Sequence, residues 1–274
     1  MRPTPADKRQ AFRALHAEGC FVLPNPWDAG SAVLLESLGF KALASTSAGM
    51  AWGMGRPDYG VARDEVLSHL SVLTHASALP VNADFENGFS DDPEGVAANV
   101  ALAADTGVAG LSVEDSTGDA QNPLYEFDLA VARIAAAHKA LAGSGVVLTA
   151  RSEGFIRGRP DLDETIRRLT AFAEAGADCL YAPGLPGEAE ITAVVRAVAP
   201  LPVNVLSPGL PVATLAGWGV RRISVGGSLA RAAWGGFLAA AREIADQGTF
   251  DALARGAPGG ELNRIFAEAQ ARLG

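Results

Sequence analysis

Two short stretches of the chain, Val81-Asn-Ala-Asp-Phe-Glu-Asn-Gly88 and Gly110-Leu-Ser-Val-Glu-Asp115, decide how the rest of it is interpreted. Each starts as a strand-like run, ends in carboxylates and precedes a segment with helical periodicity. In a parallel α/β protein the carboxyl ends of the strands meet at one edge, where ligands bind. Clustered carboxylates with no lysine beside them suit a hard divalent cation. The two stretches therefore predict a metal site at the strand ends of an α/β fold.

The same alternation of apolar runs and amphipathic segments recurs along the chain. The predicted strands are residues 21–23, 42–45, 80–83, 110–113, 146–149, 179–181, 202–205 and 222–225. The predicted helices between them are residues 30–38, 63–78, 93–106, 128–141, 163–175, 188–198 and 211–217. This number and spacing of units predicts a (β/α)8 TIM barrel. An open doubly wound sheet is the alternative, but the first turn lacks the glycine fingerprint of a dinucleotide site.

Helical periodicity continues after the eighth predicted strand. It runs through residues 229–246, 250–254 and 261–273, which is more than the last helix of a barrel requires. We therefore expect a single barrel domain over residues 1–274. Its C-terminal helical extension, residues 229–274, either caps the barrel or packs on another subunit.

Composition excludes several classes of function. The net charge is −9 and no basic stripe exists, which argues against a nucleic-acid partner. No apolar segment is long enough for a membrane span or an export signal, so a cytoplasmic protein is expected. Two cysteines are too few for a disulfide framework or a zinc site. The three lysines lie away from the predicted strand ends, which disfavours Schiff-base chemistry, and all four histidines fall in helical segments.

Nearly every predicted strand ends in polar side chains, as an active site built from barrel loops requires. Asp84 and Glu86 alternate, so in a strand both carboxylates point to the same face, and a cation would relieve their repulsion. Arg151 follows the fifth predicted strand, and its planar fork suits the carboxylate of a substrate.

Five of these motifs, in this order, resemble those of the isocitrate lyase / phosphoenolpyruvate mutase superfamily over residues 20–240. The stretch from Ser45 to Gly55-Arg-Pro-Asp58 is similar to its substrate-carboxylate loop. Asp84-Phe-Glu86-Asn-Gly88 is similar to its Asp-x-Asp metal motif, and Val113-Glu-Asp115 to its metal-linked glutamate strand. Thr149-Ala-Arg151-Ser-Glu153 and Pro202-Val-Asn204 match the two remaining motifs.

The resemblance implies a site that binds Mg2+ or Mn2+ at the mouth of a barrel, largely through water. Asp84 would be the direct metal ligand, and Glu86 and Glu114 would hold its waters. The resemblance further implies an enolate or 2-oxo acid held by the metal and an arginine, and a last helix exchanged within a homodimer or homotetramer. The implied catalytic residues are Asp58, Glu114, Asn122 and Arg151, and the implied substrate-binding residues are Ser45, Thr46, Ser47, Arg151 and Asn204.

The loop after the glutamate strand departs from the lyase branch of this superfamily. Residues 116–126 contain no cysteine, lysine or histidine, whereas the lyases carry a catalytic cysteine there. Protonation would then come from water, from Tyr125 if it swings inward, or not at all. The composition of the loop predicts a mobile lid, and a disordered surface loop is the alternative.

We therefore predict a Mg2+-dependent lyase that cleaves a C–C bond of a small 2-oxo or 2-hydroxy dicarboxylate. The alternatives are P–C bond chemistry of the phosphonopyruvate type, a non-catalytic protein that binds 2-oxo acids, and a phosphate-binding barrel that uses Gly226-Gly-Ser228.

Overall fold

A computed structural model of the chain describes residues 2–207 and 209–273. Met1 and Gly274, the two ends of the predicted single domain, and Pro208 lie outside the described residues. The strands are β1 (Phe21–Leu23), β2 (Leu43–Ala44), β3 (Val81–Asp84), β4 (Gly110–Glu114), β5 (Val147–Arg151), β6 (Cys179–Tyr181), β7 (Val203–Leu206) and β8 (Arg222–Ser224).

The strands form one eight-stranded sheet in the order β1-β8-β7-β6-β5-β4-β3-β2, and every pair is parallel. The N–H of Ala44 donates to the carbonyl of Pro24 at 3.0 Å, which links β2 to the end of β1 and nearly closes the sheet. The predicted (β/α)8 barrel is therefore confirmed, and the doubly wound alternative is wrong.

The helices lie between the strands. They are α1 (Pro5–Ala17), α2 (Ala29–Ser37), α3 (Ser47–Gly53), α4 (Arg63–Ala76), α5 (Pro93–Asp105), α6 (Phe127–Ala140), α7 (Leu162–Glu174), α8 (Glu188–Ala197), α9 (Val212–Gly217), α10 (Ser228–Gln247) and α11 (Gly259–Leu273), with 3-10 turns at Gly154–Arg157 and Asp251–Arg255. All seven helices predicted between strands are present within two residues of their expected ends. The prediction of a helix at 250–254 is corrected to a 3-10 turn.

Helix α1 closes the end of the barrel opposite the acids. Phe12 is fully buried and packs with Leu23, Ala44 and Val147 from three strands. Lys8, on the same helix, is buried and donates to the carbonyls of Thr74 and Ser77 at 2.8 and 2.6 Å. The ammonium group of Lys8 is therefore bound by the end of α4 and the turn that follows it, and its role is structural.

The C-terminal extension divides into two parts. Helix α11 packs against α2 of the same chain and buries Ala269. Helix α10 buries only Ala230 among its described residues and leaves large apolar side chains exposed. Within the described residues, no helix combines the length and the apolarity that crossing a bilayer requires.

Candidate active site at the barrel mouth

The last residues of three neighbouring strands meet at the mouth of the barrel, where Arg151 of β5 binds acids on both sides. Its Nη1 atom lies 2.6 Å from Asp84 of β3, its Nη2 atom 3.1 Å from Glu114 of β4, and its Nε atom 2.9 Å from Glu153. The ring of Tyr181 lies below the guanidinium, with its centroid 5.0 Å away. The parallel register produces this cluster because Glu114 pairs with Arg151 across the β4–β5 ladder.

The segment from Ser45 to Ser47 holds Asp84 from the other side. The N–H and the hydroxyl of Ser47 both donate to Asp84 Oδ2 at 2.9 Å, and the hydroxyl of Ser45 accepts the N–H of Asp84 at 2.8 Å. Thr46 caps α3 through a bond from the N–H of Gly49 at 3.2 Å. The predicted substrate-carboxylate loop therefore begins a helix beside the end of β3, and its polar groups fix the orientation of Asp84.

The acids at the mouth repel one another. Glu86 is buried with a left-handed backbone, φ 45°, and burial together with the charges of Asp84, Glu114 and Asp58 raises its pKa to about 8. Partial desolvation and the charge of Asp84 likewise raise the pKa of Asp58, which stands at the exposed rim. A cation placed among these carboxylates would lower all of these repulsions.

The donor set fits a hard cation that is held mainly through water. Within residues 2–207 and 209–273, no three Asp, Glu, His or Cys side chains converge closely enough to chelate an ion by themselves. Carboxylate oxygens are the ligands that Mg2+ prefers, and Mg2+ usually keeps several of its waters and binds one or two carboxylates. Asp84, Glu86 and Glu114 are the carboxylates at this mouth that would hold such an ion and its waters.

Sequence reasoning missed two residues that contact Glu114. The hydroxyl of Tyr59 donates to Glu114, and Arg157 donates to the oxygen of Tyr59 while lying 4.7 Å above its ring. The Nη2 atom of Arg157 is also 3.7 Å from Glu114. Tyr59 has a φ of 61°, a left-handed backbone conformation that the residues around it do not predict. These contacts attach the loop that carries Asp58 to the end of β4.

Asp115 is part of the scaffold of the site. It is buried, accepts the backbone N–H of Glu153 at 2.8 Å and pairs with Arg168 at 3.2 Å. Burial raises its pKa, and the bond from Glu153 and the charge of Arg168 oppose that rise. Asp115 thus fixes the turn that follows Arg151.

A cavity of about 210 Å³ opens at this mouth and extends into the barrel. It is lined by seven of the residues that sequence analysis named, namely Ser45, Thr46, Ser47, Asp58, Asp84, Arg151 and Asn204. Asn204 is almost fully buried, accepts from Arg222 Nε at 2.8 Å and donates to the hydroxyl of Ser224 at 3.0 Å. The structure therefore places most of the predicted residues around one space.

Two residues of the loop at 116–125 lie apart from that space. Asn122 is exposed, its carbonyl accepts the Thr117 hydroxyl at 2.5 Å, and it lines a separate cavity of about 600 Å³. The hydroxyl of Tyr125 donates to Asp91 at 2.5 Å, and the guanidinium of Arg133 lies 3.7 Å from its ring centroid. In this conformation neither Asn122 nor Tyr125 reaches the acids.

Comparison with known families agrees with this arrangement. A sequence model described as phosphoenolpyruvate phosphomutase matches residues 12–245. The chain belongs to the isocitrate lyase / phosphoenolpyruvate mutase superfamily. It is 34% identical over 266 residues to an uncharacterized protein of Mycobacterium tuberculosis, with 96% of each chain covered. It is 31% identical over 182 residues to the 2-methylisocitrate lyase of Escherichia coli, covering 63% of this chain and 60% of that one. It is 30% identical over 198 residues to an oxaloacetate decarboxylase of Bradyrhizobium diazoefficiens, covering 69% and 68%.

Solved structures of this superfamily show the same fold. A Burkholderia cenocepacia J2315 protein described as a lyase/mutase, with no reaction named, is 51% identical, with a TM-score of 0.93 over 96% of each chain. An oxaloacetate acetylhydrolase in complex with oxalate is 25% identical, with a TM-score of 0.87 over 98% and 97%. A phosphonopyruvate hydrolase in complex with oxalate and Mg2+ is also 25% identical, with a TM-score of 0.85 over 97% and 96%. Members of the superfamily thus act as lyases or mutases on small carboxylates.

Proposed function

We propose that this protein is a Mg2+-dependent lyase that cleaves a C–C bond of a small 2-oxo or 2-hydroxy dicarboxylate and leaves an enolate of a small carboxylic acid. The observation that carries the proposal is the position of Asp84. It stands at the mouth of a small cavity, is oriented by Ser47 and Arg151, and is surrounded by further carboxylates. A bound divalent cation would supply positive charge to the enolate oxygen that develops in the reaction.

The surrounding side chains have distinct proposed roles. Asp84 would bind the cation directly, and Glu86 and Glu114 would hold its waters. Arg151 and the Ser45–Ser47 segment would bind a carboxylate of the substrate. The Nη1 donor of Arg151 binds Asp84 in this structure and would become available to the substrate when Asp84 binds the cation. Asp58 at the rim would orient or activate the substrate, and Asn204 would face it from within. Asn122 could take part only if its loop moves toward the cavity.

The size of the cavity supports a short substrate. At about 210 Å³ it is smaller than the roughly 300–1,000 Å³ that is usual for drug-sized ligands. A dicarboxylate with a four- or five-carbon chain suits such a space better than a branched tricarboxylate. The resemblance to an oxaloacetate decarboxylase and to an oxaloacetate acetylhydrolase supports the same class.

The function is tested by a coupled assay for pyruvate, glyoxylate or oxalate release over a panel of 2-oxo and 2-hydroxy dicarboxylates and phosphonopyruvate, with Mg2+ or with EDTA. Turnover is expected only with the cation and only on C–C substrates. Turnover of phosphonopyruvate alone would instead establish the P–C alternative. Binding of 2-oxo acids without any turnover would indicate a non-catalytic binding protein.

Asp84→Asn gives the sharpest check of the metal assignment. The amide keeps the shape of the side chain but removes the anionic ligand, so we expect calorimetry to show no specific Mg2+ binding and the assay no turnover. Asp128→Asn is the matched control, because Asp128 is an exposed aspartate on α6 outside the site. Unchanged Mg2+ affinity in the Asp84→Asn protein would show that this residue is not the ligand.

A further inference from the structure

The interior of the barrel contains a buried cation that the proposed reaction does not use. Arg222, the first residue of β8, is 2% exposed. Its Nε atom donates to Asn204 Oδ1 at 2.8 Å and its Nη2 atom to the hydroxyl of Thr149 at 3.0 Å. Its Nη1 atom lies 3.2 Å from His16 Nε2. None of these three partners is a carboxylate. Asn204 and Thr149 are neutral, and the third partner is the imidazole of His16.

His16 does not supply a negative charge. Burial and the neighbouring charge of Arg222 lower the pKa of His16 to about 3, so the imidazole is neutral and serves as an acceptor. No carboxylate among the described residues lies within ion-pair distance of Arg222. Because a buried charge without an opposite partner is unfavourable, this guanidinium is a fixed positive charge whose natural complement is an anion.

Arg222 lines the same cavity as Asp84 and the Ser45–Ser47 segment. It starts its strand, whereas the acids end theirs, so the cavity has carboxylates at its mouth and a guanidinium deeper in the barrel. Arg151 at the mouth differs from Arg222, because each of its three nitrogens already faces a carboxylate. Of the two arginines that line the cavity, Arg222 is therefore the one whose positive charge is not balanced by a carboxylate of the described residues.

Two groups in the cavity retain hydrogen-bonding capacity. A guanidinium has five N–H donors, and Arg222 uses three of them. Asn82, which also lines the cavity, has a buried side-chain oxygen without a partner among the described residues. A ligand that carries both a carboxylate and a hydroxyl could satisfy both groups.

A second fully buried arginine shows what a structural role looks like in this fold. Arg133 of α6 also lacks an ion pair among the described residues. However, its guanidinium stacks 3.7 Å from the ring of Tyr125, and it does not line the cavity at the mouth. In the part of the chain that the structure describes, no aromatic ring stacks on Arg222 in this way, and Arg222 lines the cavity instead.

We propose that Arg222 binds the carboxylate of a dicarboxylate ligand that is remote from the metal, and that it thereby selects dicarboxylates over monocarboxylates. The inference rests on the proposed function in one respect, namely that the opposite end of the same ligand occupies the mouth. It assigns specificity to a residue at the base of the cavity, which the resemblance to the superfamily did not indicate.

Calorimetric titration in the presence of Mg2+ tests the proposal with racemic malate and racemic lactate, two 2-hydroxy acids that differ by one carboxylate. The wild-type protein should bind malate at least about tenfold more tightly than lactate, since a charge-assisted bidentate pair is among the stronger polar contacts. In Arg222→Met the affinity for malate should fall to within about twofold of that for lactate, while lactate binding changes little. Arg222→Lys should give an intermediate preference, because a point charge cannot reproduce the fork.

Arg221→Met is the matched control. Arg221 is the preceding residue, and it donates to the carbonyl of Ala17 at the surface, outside the cavity. Its substitution should leave the preference for malate unchanged. Circular dichroism and thermal melting establish that each variant is folded. Equal weakening of both ligands in folded Arg222→Met, or no preference for malate in the wild-type protein, would overturn the proposal, and the second result does not depend on any variant.

This binding experiment is independent of turnover. A preference for malate that requires Arg222, in a protein that converts no compound of the substrate panel, would refute the proposed lyase activity and leave the specificity assignment standing. Turnover of dicarboxylates by the wild-type protein, together with an Arg222→Met variant that still prefers malate over lactate, would support the lyase activity and refute the specificity assignment.

Discussion

At the scale of single residues, the mouth of the barrel combines Glu86 with three other carboxylates, and this arrangement has a consequence for pH. The pKa of Glu86 is raised from 4.5 to about 8 by burial and by its acidic neighbours. A carboxyl group whose pKa is higher in the folded protein than in the unfolded chain binds its proton more tightly in the folded state. Its contribution to stability is therefore fully present below its unfolded pKa and is lost as the pH rises toward 8.

We expect the melting temperature in EDTA to fall as the pH is raised from about 5 to about 8, and Mg2+ to reduce that fall. Glu86→Gln should flatten part of the slope, because the amide does not titrate. Glu174→Gln, at an exposed position of α7, should leave the slope as it is in the wild-type protein. Thermal melting at a series of pH values measures this. A slope that Glu86→Gln leaves unchanged would show that Glu86 titrates in its ordinary range.

Sequence patterns were informative about residues whose position follows from chain order. Asp84, Glu114 and Arg151 could be placed together because parallel strands end at one edge. The partners of Arg151 could not be predicted, since they depend on which rotamers the packed barrel allows. Tyr59 reaches Glu114 from another loop, through a backbone conformation that its neighbours do not reveal. Arg222 had a weak signal, because Arg222 and Ser224 alternate with Ile223 as lumen-facing polar residues do.

At the scale of elements, the strands were predicted within two residues, but four of them end later than expected, β7 by one residue and the three strands of the acid cluster as follows. Strands β3, β4 and β5 extend to Asp84, Glu114 and Arg151, so these side chains belong to the sheet. Ligand contacts on strands are held more rigidly than contacts on loops. Helix α3 was not predicted, because its sequence of Ser47-Ala-Gly-Met-Ala-Trp-Gly53 has two glycines. In the fold its start is capped by Thr46, and Met50 and Ala51 are buried.

The loop at 116–125 leads to a prediction about substrates. Ser116 and Leu124 pair as an antiparallel bridge, and Arg168 Nη1 donates to the carbonyl of Tyr125 at 2.9 Å, so both ends of the loop are anchored. The loop carries no thiol, and Tyr125 is held by Asp91. We therefore expect kcat/KM for isocitrate and 2-methylisocitrate to be at least about a hundredfold below that for the best C4 or C5 dicarboxylate, the size of a typical general acid–base contribution.

Steady-state kinetics over the same panel measures this difference. The wild-type protein without Mg2+ serves as the control for uncatalysed release. Efficient Mg2+-dependent cleavage of either tricarboxylate, with kcat near the typical enzyme value of about 10 s⁻¹, would contradict this interpretation of the loop.

At the scale of the whole molecule, the C-terminal extension presents an apolar surface that one chain does not cover. We call this surface, formed by Trp234, Phe237, Leu238, Ile244, Phe250 and Leu253, the α10 face. Phe237 is 60% exposed and Phe250 62% exposed, while Trp234 packs edge-on against Phe237 at 5.7 Å. Beside it, Trp52 and Leu238 line an open apolar groove between α3 and α10. Contiguous exposed apolar side chains of this size are typical of an interface between proteins.

The superfamily resemblance suggests what covers the α10 face, namely a second copy of the chain, so that α10 would pack between subunits of a homodimer or homotetramer. Because α11 already packs on α2 of its own chain, α10 is the segment available for a neighbour. We expect light scattering coupled to gel filtration to give twice or four times the 28.1 kDa chain mass. Replacing both Trp234 and Phe237 by Asp should shift that mass to a single chain, because two carboxylates cannot be buried unpaired in an apolar interface.

The control for this double substitution is Leu129→Asp, an exposed apolar residue on α6 that lies outside the α10 face. It should leave the oligomer intact. Helical content by circular dichroism should also survive the double substitution, since neither side chain belongs to the buried core of one chain. A wild-type protein that elutes as a monomer at micromolar concentration would refute the interface. An oligomer that the double substitution does not dissociate would place its interface elsewhere on the molecule.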